Sequence, residues 1–279
     1  MIQTATAQTP SLLTTAPGLF TIYQRRLAVT TKTVSGMIGL MTPPVLWVLV
    51  IAPALADALG GFSSSIDYYT FVAISQACFI VPFTSMFSGI NVIVDKDFGI
   101  LREFLVAPVP RLAIPLGNAL AVLTVALVQV TVMMGLAEVR GAEFNTSAGG
   151  ILWFLGAASL LSLATYGLAE ILALAVGRQE AYGPLIPAVG VTPWFLSGGL
   201  FPINVLPAGV EQISYALPWT HTLALMRYGL MEGSDPGLAN IWHMDSEPLM
   251  AVFSLLYLAG LAIITLTLAT RVFNRKTMA

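Results

Sequence analysis

An all-α integral membrane fold with six transmembrane helices is the class this sequence predicts, and three observations carry it. Hydrophobic residues make up 57% of the 279 positions and charged residues only 9%. With a mean hydropathy of +0.84, the chain has too little polar surface to cover a soluble globule of its size. Windows 33–56, 68–94, 112–137, 144–169, 181–210 and 248–270 carry no charge, and each exceeds the roughly 20 apolar residues needed to cross a hydrocarbon core about 30 Å thick. The third observation is the placement of the positive charges. With a cytoplasmic N-terminus, Arg25, Arg26, Lys32, Lys96, Arg102, Arg111, Arg178, Arg271, Arg275 and Lys276 lie inside, and only Arg140 and Arg227 lie outside. That asymmetry predicts a multi-pass plasma-membrane protein with both termini in the cytoplasm.

Residues 1–16, rich in Thr, Ala and Gln, read as a flexible tail, leaving 17–279 as a single transmembrane domain. Leu19, Ile22, Tyr23 and Leu27 then share one helical face, as expected of an N-terminal interfacial helix, although Arg26 interrupts that face. Pro43, Pro44 and Pro53 interrupt the first window and Pro193 the fifth, so kinks are expected there. The single cysteine, Cys78, sits in an apolar run and excludes a disulfide framework or a cysteine metal cluster.

Between the second and third windows lies a charged island, 95–111. Phe98, Leu101 and Leu105 recur at i, i+3 and i+7, which makes a short amphipathic helix ended by Pro108. Two readings stand: a docking element for something outside the membrane, or a solvated loop with anchoring charges. Glu170 is the carboxylate set into an apolar span; either it serves transport or it pairs with Arg178. Over 194–232, Gly198, Gly199, Pro202, Pro207 and Pro218 break any continuous helix. A span over 184–201 followed by one or two outer re-entrant helices is expected, with Trp194, Tyr215, Trp219 and Tyr228 forming an aromatic belt. His221 and His243 have no companion spacing for a metal, and no G-x-S-x-G hydrolase signature occurs.

GILREFLVAPVPR at 99–111, with FLSGGLFPINVLP at 195–207 and ISYALPWTHTLALMR at 213–227, resembles the permease subunits of ABC type-2 exporters, in the daunorubicin-resistance and nodulation-export branch. The likeness runs from about Tyr23 to Lys276. The family's first motif, Gly-x-Leu-x-x-Leu-x-x-x-Pro-x-x-Arg, falls on Gly99, Leu101, Pro108 and Arg111, with Phe104 at the second leucine position. Its second falls on Phe195, Leu196, Ser197, Gly198, Pro202, Pro207, Pro218 and Arg227.

The resemblance implies that 95–111 is a cytoplasmic coupling helix, with Phe98, Gly99, Leu101, Arg102, Glu103, Leu105, Pro108 and Arg111 meeting a separate ATPase. The sequence holds no G-x-x-x-x-G-K-[ST] loop, so ATP and Mg are expected on that partner and no cofactor on this chain. The resemblance further implies pairing with a second copy or a related permease, and outward movement of a hydrophobic or amphipathic cargo such as a drug, lipid or secondary metabolite. A lipid-linked saccharide exporter is the nearest alternative. A proton-driven transporter using Glu170 is a more distant one, and a membrane enzyme or anchoring subunit lacks any polar constellation to support it. No nucleic-acid partner is expected.

Overall fold

Where no water competes for backbone groups, a charge-free chain satisfies them within its own helix, and nearly every described residue outside the turns is helical. The computed structural model describes residues 12–32, 34–59, 68–100, 103, 109–200, 203, 206–231 and 237–278. Helix α1 (Leu12–Thr31) is followed by α2 (Val34–Leu46), a π-helical turn (Trp47–Ile51) and α3 (Ala52–Leu59). Four long helices come next in chain order, interrupted by a cluster of short ones. They are α4 (Tyr68–Asp97), α5 (Ala113–Val139), α6 (Ala148–Val176) and, last of all, the helix Glu247–Met278. Between α6 and that last helix lie α7 (Gln179–Tyr182), α8 (Leu185–Gly190), α9 (Thr192–Leu196), α10 (Ala208–Tyr215), α11 (Pro218–Leu230) and α12 (Leu238–Trp242). The helix Glu247–Met278 is therefore α13.

Four of these, α4, α5, α6 and α13, are long and apolar enough to cross a membrane. They occupy the second, third, fourth and sixth windows. The first window forms a helical run through α2 and α3 whose ladder widens at Trp47–Ile51, where Ala52 N–H bonds the Trp47 carbonyl. Pro44 and Pro53 flank this turn, and neither can donate to the regular ladder. The fifth window is broken into α7, α8 and α9, because Pro184, Pro187 and Pro193 each remove a donor within ten residues. Of these three, Pro193 had been expected to kink the window.

Helix ends follow local chemistry. Ser147 Oγ accepts from Gly150 N–H at 3.1 Å to start α6, and Gly177, at φ 67°, ends it. α6 thus runs seven residues past its predicted window, which leaves Glu170 inside the helix and well short of its end. Helix α1 starts at Leu12, earlier than the Leu19 pattern indicates.

Helix α6 is central: α4, α11 and α13 all pack on it, while α1 lies along α5. Two apolar clusters fill the interior. At the end carrying the island, Ile22, Met86, Ile93, Ile114, Tyr182 and Phe273 meet. Towards the opposite end, Ile74, Phe154, Leu161, Trp194, Trp219 and Leu223 do so.

Candidate functional site

At the island end, α1 is fastened to the bundle by charge. Asp95, in the last turn of α4, is 7% exposed and pairs with two arginines of α1: Arg25 Nη2 donates to its Oδ1 at 3.3 Å and Arg26 Nη2 to its Oδ2. Arg26 is itself buried, and its Nε donates to Asn118 Oδ1 on α5 at 3.0 Å. The arginine that interrupts the apolar face of α1 is therefore the residue that fixes it. Packing supports the same contact, since Ile22 lies so close to Gly117 that a Cβ there would sit 2.9 Å from its side chain.

The island itself divides. Asp95 belongs to the interior rather than to a solvated surface. Phe98 is 78% exposed, Gly99 turns the chain at φ 73°, and Glu103 and Arg111 are exposed. Leu101, Arg102, Leu105 and Pro108 lie outside the described residues. Sequence reasoning passed over Asp95–Arg26–Asn118, yet a signal existed: an arginine on an apolar face and an aspartate ending a span are both costly unless paired.

At the opposite end, a second constellation joins the FLSGG turn to α4 and α11. Arg227 of α11 is buried; its Nη2 donates to Ser75 Oγ at 2.9 Å and to the Gly198 carbonyl at 2.8 Å, and its guanidinium stacks 3.9 Å over the Phe71 ring. Trp194 Nε1 donates to the Ser75 carbonyl at 2.8 Å, and its ring packs on Phe79 and Phe195. Gly198 takes φ 81°, Ser197 is buried and bonded to the Trp194 carbonyl, and Phe195 is exposed. Pro207 caps α10 and Pro218 opens α11, the position where a missing N–H costs nothing. Pro202 lies outside the described residues. A cation sealed between three elements has a bracing geometry, because removing it leaves several polar atoms unpaired.

His221 is buried beside this brace rather than interfacial. Its Nε2 meets the Tyr215 carbonyl and its Nδ1 meets Ser254 Oγ, both at 3.1 Å. The carbonyl can only accept, so Nε2 carries the proton. Burial lowers its pKa to about 4, which keeps the ring neutral.

Glu170 is buried on α6, beside Tyr166 one turn earlier and within electrostatic reach of Arg26. It forms no ion pair with Arg178 among the described residues, where the ion pairs are those of Arg25 and Arg26 with Asp95. Its Oε2 has no hydrogen-bond partner there either.

The sequence profile of the ABC-2 type transporter family matches residues 18–231, which runs from within α1 through α11 and takes in both constellations. The chain is also similar to the probable doxorubicin resistance ABC transporter permease protein DrrC from two strains of Mycobacterium tuberculosis. In each case it is 24% identical over 199 residues, covering 71% of this chain and 71% of the relative.

Proposed function

The chain belongs to the ABC-2 type transporter family, and from that premise we propose that it is the membrane-spanning permease subunit of an ATP-driven exporter for a hydrophobic or amphipathic compound. The two DrrC relatives are named for doxorubicin resistance, which favours a drug-like cargo over a lipid-linked saccharide. In this reading the run α2–α3 and the broken run α7–α9 complete six crossings, the island end faces the cytoplasm, and two permeases of this kind surround the path. ATP and Mg belong to a separate ATPase. ATP-driven closure of that partner rocks the two bundles as rigid bodies.

The observation that carries the proposal is the island junction. An exposed Phe98, an exposed Glu103 and an exposed Arg111 stand where α4 turns into α5, and the preceding Asp95 is locked to α1. A force applied at 98–111 thus reaches α1, α4 and α5 together.

The test is a pull-down of the full chain in mild detergent from its native membrane. A cytoplasmic ATPase should co-purify and should be lost when 98–107 is replaced by a Gly/Ser linker of equal length. In the same preparation, Arg102→Glu or Glu103→Arg should leave the permease folded but uncouple ATP hydrolysis from transport. Recovery of the permease alone at every salt concentration would overturn the reading and turn attention to Glu170 as a proton carrier.

A further inference from the structure

Beside the junction lies a half-open cavity of about 610 Å³ between α1, α2, α4 and α5. Its walls are unequal. Phe83, Thr84 and Phe87 line it from α4, a helix held on two sides: Thr84 Oγ1 donates to Gln129 Oε1 on α5 at 2.7 Å, and Ser85 Oγ meets Ser162 Oγ on α6 at 3.1 Å. The α2 wall is formed by Gly36, Gly39 and Pro43, at i, i+3 and i+7. These three are exposed or half-buried, as are Ile38, Met41 and Thr42 between them. A helical stretch with so little buried surface is weakly held.

Burial begins at Pro44. Pro44, Val48 and Ala52 are buried and recur at i, i+4 and i+8, a single seam that runs through the π turn Trp47–Ile51. Trp47 reinforces it, with its ring 5.9 Å from that of Phe79 on α4 and 6.5 Å from that of Trp194 on α9. Beyond the turn α3 packs on α4, whereas α2 packs on α1 and α5. The two halves of this helical run thus have different neighbours, and the π turn is where they part.

Local chemistry makes that turn pliant. Pro43, Pro44 and Pro53 donate nothing, so the carbonyls four residues before each lose their ladder partner. Sharp bends in helices are concentrated at prolines and π turns. Gly39 adds a separate sign. Glycine inside a helix is destabilising relative to alanine, yet a Cβ on Gly39 would meet nothing within 4 Å. Packing in this arrangement does not call for a glycine there, whereas close approach of α2 to another helix would.

We infer that residues 34–43 are a hinged arm that swings about the π turn into the cavity and closes it against Phe83 and Phe87, while Trp47 and α3 stay in place. Ile38 lies nine residues before Trp47, about 14 Å at about 1.5 Å per residue, so a bend of about 20° carries it about 5 Å. The motion needs neither ATP nor an ATPase, so it can fail while the export reading stands, and the reverse.

The experiment measures spin-label distances by pulsed electron resonance on the full chain in nanodiscs, with the labelled chain diluted in unlabelled chain. One pair is Ile38→Cys with Lys96→Cys, reporting the arm against α4; the other is Val50→Cys with Lys96→Cys, reporting the far side of the hinge. All three positions are exposed, and Cys78 is fully buried. The first pair should show two populations, the second about 3–5 Å shorter than the first, and the Val50 pair should show one. Gly39→Phe, or Gly39→Leu should the ring prevent folding, fills the cavity and should leave only the longer population. A single population for the Ile38 pair in the wild type, an equal spread in both pairs, or two populations that persist in the Gly39 variant would each overturn the proposal.

Discussion

Arg26 and Asp95 show how one residue can be misread when its partner is distant. On α1 alone, Arg26 spoils an amphipathic pattern; in the fold it is buried against a carboxylate on α4 and an amide on α5. Cutting one side of such a pair leaves an uncompensated buried charge, which costs about 3–5 kcal/mol, whereas replacing both sides with apolar groups of similar volume is close to neutral. Asp95→Ala should therefore lower the stability of the detergent-solubilised chain by about that amount. The double change Arg26→Met with Asp95→Leu should recover most of it, read as thermal midpoints in one detergent. A double variant no better than the single would mean that the loss in Asp95→Ala does not come from an uncompensated charge on Arg26. Arg227 was the more readable cation, because the family motif singled it out; its acceptors on Ser75 and Gly198 could not be inferred, since they come from stretches 152 and 29 residues away.

Among elements, α6 and α11 approach each other backbone to backbone. A Cβ on Gly150 would sit 2.1 Å from the Gly229 carbonyl oxygen, and one on Gly229 would sit 2.4 Å from the Gly150 oxygen. Backbone cannot yield as a flexible side chain can, so the two helices must separate to admit a methyl group. Gly150→Ala or Gly229→Ala should each cost about 1–3 kcal/mol, as core overpacking does, while Gly209→Ala on α10, with nothing within 4 Å, should be neutral. Limited proteolysis of segment 206–231 checks this, with faster cleavage in the first two variants only. Elements were legible in the sequence in proportion to their apolar length. Windows two, three, four and six became α4, α5, α6 and α13 because none of them carries prolines in close succession; a lone Pro82 is accommodated inside α4. The fifth did not, because three prolines in close succession outweigh its hydropathy. The first kept its helix but acquired a π turn, which charge counting cannot register. The proposed docking face is the least legible part, since Leu101, Arg102 and Leu105 fall outside the described residues and their reading rests on spacing and family likeness.

For the molecule as a whole, topology is the statement to test. Cys78 is fully buried and is the chain's one cysteine, so introduced thiols can be labelled on an almost silent background. With an impermeant maleimide on intact cells, Glu143→Cys and Asp245→Cys, both at exposed positions, should react. Lys276→Cys should react only after permeabilisation; the opposite pattern would invert the orientation drawn from the basic residues. The arrangement also bears on how the protein is made. Helix α1 leaves the ribosome before α4 and α5, and the groups that hold it, Asp95 and Asn118, lie 69 and 92 residues beyond Arg26. At about 5–20 residues per second, the finished α1 waits about 5–20 s for its last partner. The contacts that seat α1 can therefore close only after α5 has been made, although α1 precedes it in the chain.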